Sequence, residues 1–111
     1  MSAQSIELVA EFDLGRPAIG NPAKLTPLYD GIGRKMVAVE LSNGDTLSKH
    51  KANEPISVLC VAGTGVFRAG EDLESSQSLS PGTLITLDAG IPHDVTADDW
   101  LRLLVTKFKQ Y

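Results

Sequence analysis

At 111 residues, with 42% apolar and 22% charged residues, the chain has the size and composition of one globular domain and not of a disordered segment. Its formal net charge of −4 comes with no cluster of Lys or Arg, which argues against nucleic acid as a direct partner because phosphate contacts dominate that affinity. Cys60 is the only cysteine, so no intrachain disulfide is expected and a reducing, cytoplasmic setting is; no secretory pattern opens the sequence, and no apolar run approaches the roughly 20 residues of a membrane span.

In chain order, Ile6, Leu8, Ala10 and Phe12 alternate with Glu7, Val9 and Glu11, which predicts a half-buried strand over residues 5–12. Gly15, Pro17, Gly20, Pro22 and Pro27 then exclude a regular element, so residues 15–27 read as an extended arm. A single domain is expected, with the strand and arm in residues 1–27 and a barrel in residues 28–111. Alternating or β-branched runs predict strands at residues 36–41, 56–62, 65–69, 83–87 and 100–108. Between them stand Asn43-Gly44, Gly63-Thr64-Gly65, Ala69-Gly70-Glu71-Asp72, Pro81-Gly82, and Ala89-Gly90 followed by Pro92, each a turn signal. Asn43-Gly44 predicts a tight hairpin, since a primed turn wants positive φ at both central residues. No window of about 12 residues carries a helical apolar stripe free of Gly and Pro, so the expected class is all-β, a sandwich or barrel.

Two stretches carry a family resemblance. Gly44, His50, Ala52, Ile56 and Gly63 fall in the frame of the first cupin motif, G-x5-H-x-H-x3,4-E-x6-G. Gly82, Asp88, Gly90, His93 and Ala97 fall in that of the second, G-x5-P-x-G-x2-H-x3-N. Four glycines and both histidines match; Ala52, Ile56, Asp88 and Ala97 depart from the pattern. The chain thus resembles a small cupin with a degenerate metal-binding set. The resemblance implies a double-stranded β-helix, a jelly-roll barrel of two antiparallel sheets, with both motifs lining one end of its cavity.

In that family the two histidines and the glutamate of the first motif and the histidine of the second hold a divalent metal. Here His50 and His93 stand at two of those positions, while Ala52 and Ile56 have no donor atom to offer. Two imidazoles fix too little of a coordination sphere, so no cofactor is expected. Were a metal present, it would be Fe, Mn, Ni or Zn on His50 and His93. Among substitutes, Glu54 falls in a turn, and Asp88 and Asp94 read as solvated acids. Cys60 shares the parity of Ile56 but lies roughly 13 Å along the strand, where a small buried thiol is the simpler reading.

His50 and His93 are expected to point into one cavity together with Ala52, Ile56, Val58 and Cys60, and this set forms the candidate ligand site. An imidazole pair with an ordinary pKa of about 6.5 suits a small polar or anionic ligand in an apolar hollow. A filled core without a pocket is the rival expectation. Lys49 and Lys51 flank His50, and period two sends both to the opposite face. Neither Tyr29 nor Tyr111 is placed near the histidines by anything in the sequence. The strand from Trp100 is apolar on both faces, with Trp100, Leu104 and Phe108 on one and Leu101, Leu103 and Val105 on the other, which predicts a homodimer. A binding module for a small molecule therefore leads. Its rivals are an enzyme, either a metal-dependent dioxygenase or isomerase or a metal-free epimerase or lyase using His50 or His93, and a purely structural barrel.

Overall fold

The computed structural model describes residues 6–17 and 23–109. They form seven strands: β1 (Lys24–Gly31), β2 (Arg34–Leu41), β3 (Thr46–His50), β4 (Ile56–Ala69), β5 (Ser75–Leu79), β6 (Leu84–Leu87) and β7 (His93–Phe108). The described residues contain no helix. Every pairing is antiparallel, and the fold is built on β4 and β7, which pair from Ile56 opposite Lys107 to Ala69 opposite His93. Each long strand carries two short ones end to end. Along β7 lie β2, from Arg34 opposite Phe108 to Leu41 opposite Leu101, and β3, from Thr46 opposite Thr96 to His50 opposite His93. Along β4 lie β5, opposite residues 65–69, and β6, opposite residues 56–59.

The register of the β4–β7 seam slips between Cys60 and Ala62 and again between Gly63 and Gly65. Such bulges increase twist and bend a strand. The result is two half-sheets: β1, β2, the second half of β7, the first half of β4 and β6 on one side; β3, the first half of β7, the second half of β4 and β5 on the other. Hydrogen bonding does not close the ladder, whose path runs from β1 to β5 at open ends. Val39, Leu41, Val58, Phe67, Leu101 and Leu103 belong to the buried core, as alternation along each strand requires.

The turn signals mean something different from what they mean in isolation. Gly63-Thr64-Gly65 does not end a strand; β4 passes through it, joining two runs that the sequence separates. A Cβ on Gly63 would lie 2.3 Å from the Trp100 carbonyl oxygen and one on Gly65 2.4 Å from that of Thr96, so the close approach of β7 demands glycine at both places. Asn43 and Gly44 do take positive φ, 57° and 71°, with the Asp45 amide donating to the Ser42 carbonyl at 3.1 Å. The expected hairpin is nevertheless corrected, because β2 and β3 do not pair with each other. Gly44 instead donates to the Asp99 carbonyl and Ala97 to that of Asp45, both at 3.0 Å, so the turn is an excursion in one continuous run along β7.

The N-terminal strand is also corrected: residues 6–17 form no regular element, with Ile6 77% and Leu8 74% exposed. The segment is held by side chains instead. Arg102, itself buried, donates to the carbonyls of Asp13 and, at 2.8 Å, Gly15, while Arg16 pairs with Asp99 at 2.6 Å. Glu40 takes the rest of the Arg102 guanidinium at 2.8 and 2.6 Å. The expected arm is shorter than 15–27, since Lys24–Pro27 already belong to β1; a register shift just after Pro27 accommodates a residue that cannot donate to the ladder. Ser5, Gly20, Pro22 and Tyr111 lie outside the described residues. On β7, Leu101 and Leu103 are buried inside, whereas Trp100 and Leu104 are half-buried on the outer side.

Gly63 has φ 80° and no room for a Cβ, whereas Gly82 has φ 96° and nothing within 4 Å. Replacing Gly82 by Ala is expected to cost about 1 kcal/mol, the backbone term alone, and Gly63→Ala about 3 kcal/mol or more because β7 must also be displaced. Urea denaturation of the two variants checks this; equal losses would contradict the seam as described.

Candidate functional site

The bend in the long strands leaves a hollow between the half-sheets. It is a cavity of about 120 Å³ whose walls come from β1 to β4, the residues just after β3, and both halves of β7. Leu25, Val37, Val39, Leu47, Phe67, Val95, Leu103 and Val105 supply hydrocarbon, as do Ala52, Ile56 and Val58. The polar lining consists of His50, His93, Lys51 and Lys107.

The two histidines face each other because β3 and β7 place their Cα atoms directly opposite. Their ring centroids are 4.3 Å apart with planes inclined at 60°. His93 is buried, and its ring lies nearly parallel to that of Phe67 at 5.4 Å; His50 is exposed at the rim. Each ring is fixed by its own strand end: His50 Nδ1 lies 2.7 Å from the Ser48 carbonyl oxygen and His93 Nδ1 3.0 Å from that of Ile91. A carbonyl only accepts, so Nδ1 carries the proton in each neutral ring and Nε2 keeps its lone pair. Among the described residues neither Nε2 has a hydrogen-bond partner.

Burial holds the His93 imidazole below its ordinary range. The bond to Ile91 works the other way, His50 and Lys107 deepen the depression, and Asp94 opposes it. Asp94 is not the solvated acid that the sequence suggests: it is buried and paired with Arg68, which stands opposite it across the β4–β7 seam. That pairing raises the Arg68 pKa and keeps the Asp94 carboxylate occupied outside the cavity. Asp88 is exposed, and Glu54 is half-buried but absent from the cavity wall.

His50, His93, Ala52, Ile56 and Val58 thus meet in one hollow, and the sixth member of the expected set does not. Cys60 keeps the inward parity of Ile56 and Val58 but sits farther along β4, in the core, where its Sγ lies 3.7 Å from the Ala62 carbonyl oxygen and 3.6 Å from that of Gly63. Burial raises its pKa and leaves a thiol with no path to a ligand. Lys49 stays outside, donating to the Glu71 carbonyl. Lys51 does not: β3 ends at His50, so period two no longer governs the next residue, and Lys51 lines the cavity. Lys107 and Phe67 escaped sequence reasoning although both signals were present. Lys107 shares the inward parity of Leu103 and Val105, and Phe67 that of Gly65 in the same predicted strand.

The donor set does not fit the metal that the fold family implies. Ala52 and Ile56 put only hydrocarbon at the other two ligand positions, and no group of three His, Cys, Asp or Glu suited to a metal occurs among the described residues. Two imidazoles supply half of a four-coordinate sphere, and the ammonium groups of Lys51 and Lys107 oppose a cation.

No family model matches the chain, and no curated protein sequence does. Solved structures do resemble it. A conserved protein of unknown function from Streptococcus pyogenes shares 18% identity over 97% of this chain and 94% of its own, with a TM-score of 0.77. A cupin superfamily protein from Desulfitobacterium hafniense shares 14% over 86% and 84%, at 0.75. An RmlC-like cupin from Desulfovibrio desulfuricans shares 19% over 97% and 96%, at 0.71. The chain therefore has the cupin fold, an all-β jelly roll, as its two motif stretches imply.

Because the folded chain resists protonating His93 while the unfolded chain takes the proton at about pH 6.5, stability is expected to fall as pH drops through and below that value. Thermal unfolding between pH 7.5 and pH 5, compared with a His93→Gln variant, tests this. The variant should show the shallower acid decline, and parallel curves would refute the assignment.

Proposed function

We propose that this protein is a binding module of the cupin fold, taking a small polar or anionic organic ligand in its cavity with little or no part for a metal. One observation carries this reading: two facing imidazoles, locked by their Nδ1 atoms and with Nε2 unpaired, stand with Lys51 and Lys107 as the polar groups of a hollow whose other walls are hydrocarbon. Convergent polar atoms in an apolar cavity are the usual means by which a small molecule is oriented. Size narrows the choice. A cavity of about 150 Å³ holds a benzene ring, so one of about 120 Å³ admits a body of comparable or slightly smaller bulk. The buried, lone thiol of Cys60 fits a cytoplasmic setting, where disulfides are rare.

Metal analysis of protein purified without chelator or affinity tag tests the metal-poor reading, beside a His50→Ala/His93→Ala double variant. The expected metal content is far below one ion per chain and equal in the two proteins. Stoichiometric iron, manganese, nickel or zinc lost in the variant would overturn it.

We propose further that the protein is a homodimer joined through the outer face of β7. Cross-strand neighbours Leu84, Leu59, Leu104 and Ala38 form an apolar row over β6, β4, β7 and β2 on the side away from the cavity, with Leu84 68% exposed. A second copy offers the same uncharged row, and a two-fold axis lets each cover the other. Light scattering at micromolar concentration should report twice 11.8 kDa, and Leu104→Glu should return the single-chain mass. A single chain in the unaltered protein would refute the dimer.

A further inference from the structure

β7 enters the cavity twice. Its first residue, His93, lines one half-sheet, and Lys107, near its other end, lines the facing one, opposite Ile56 of β4. The two are near enough for the Lys107 charge to disfavour protonation of His93. Lys51 adds a second ammonium from the segment after β3. All the charged side chains on the cavity wall are therefore cationic, in a chain whose net charge is −4.

The state of these lysines sharpens the point. Outside the cavity, Arg16, Arg68, Arg102 and Lys109 are in ion pairs with Asp99, Asp94, Glu40 and Asp30, Arg34 and Lys49 donate to the Ile32 and Glu71 carbonyls, Lys35 stands opposite Asp30 across β1 and β2, and Lys24 is exposed. Among the described residues, Lys51 and Lys107 have neither an ion pair nor a hydrogen bond. Lys107 is also half-buried, on a wall shared with Val105 and Ile56. An ammonium beside an apolar wall, with no carboxylate of the chain in contact with it, is free to pair with an anion that enters.

From this we infer that the occupant is a monocarboxylate with one compact apolar body, its carboxylate held by Lys107 and Lys51 and oriented by His50 and His93, and its body on Val58, Phe67 and Val95. The inference rests on the cavity being a ligand site and adds the charge and shape of the ligand. The carboxylate has acceptors for both lysines, and an imidazole that gains a proton beside it becomes a donor through Nε2. The apolar wall excludes a free inorganic anion as the best ligand, because such an ion leaves the hydrocarbon unfilled. A second carboxylate has no cation left to meet deeper in the cavity.

Butyrate and benzoate, their neutral amides butyramide and benzamide, and inorganic phosphate serve as probes, with affinity read from methyl and aromatic NMR shifts of the full chain. Both carboxylates are expected to move the resonances of Val58, Phe67 and Val95 and to bind roughly ten-fold or more tightly than their amides, the worth of a charge-assisted hydrogen bond. Lys107→Met should remove about that ten-fold advantage while leaving amide binding in place; Lys51→Met, at an exposed position that is safe for folding, should act in the same direction. Equal binding of amide and carboxylate, or phosphate binding as tightly as benzoate, would overturn the carboxylate inference and leave the ligand site standing. Shifts confined to residues outside the cavity for every probe would overturn both.

Discussion

The seam between β4 and β7 is the constraint on which everything else hangs. It runs the length of both strands, and its two slips near Gly63 turn one ladder into two facing half-sheets. Without the slips, Val58 and Phe67 would lie on one flat sheet and enclose nothing. With them, inward residues from both halves surround a hollow, and β7 alone delivers His93, Val95, Leu103, Val105 and Lys107 to its wall. The cavity is thus a by-product of a bend, and the bend depends on the close approach of backbone to backbone at residues without a Cβ.

How far the sequence reveals this depends on which physical signal each residue carries. The resemblance carried by four glycines and two histidines implies that His50 and His93 share one cavity, and β3 and β7 do set them opposite each other. Period two places Ile56 and Val58 on the cavity wall because alternation is a property of the strand itself. Where the strand stops, the rule stops, and Lys51 turns to the cavity side that alternation denies it. β5 carries no strand signal, since its Ser75, Ser76, Gln77 and Ser78 are exposed and only Leu79 is buried, leaving no alternation.

The other departures from local expectation share a cause in long-range contacts. Asp94 looks like a surface acid until Arg68, 26 residues away, is brought across the seam to meet it. The run from Ile6 to Phe12 alternates as a strand would, yet Arg102 takes the carbonyls that follow it and the chain makes no ladder there. Asn43-Gly44 has the backbone of a hairpin turn without the hairpin, because β7 offers both flanking strands a better partner than each other. In each case the local chemistry holds and a distant partner decides the outcome.

The placement of the long seam also bears on how the molecule is made. β7 is the last of the seven strands, and β2, β3 and β4 all find their principal neighbour in it. As the chain emerges from a ribosome, β4 can gather β5 and β6 into a local meander early, but β1 and β2 wait as an isolated ribbon with their apolar side wet. Closure requires bridging intervals of up to some seventy residues in a single late event, the kind of non-local step that slows folding and lengthens exposure to aggregation.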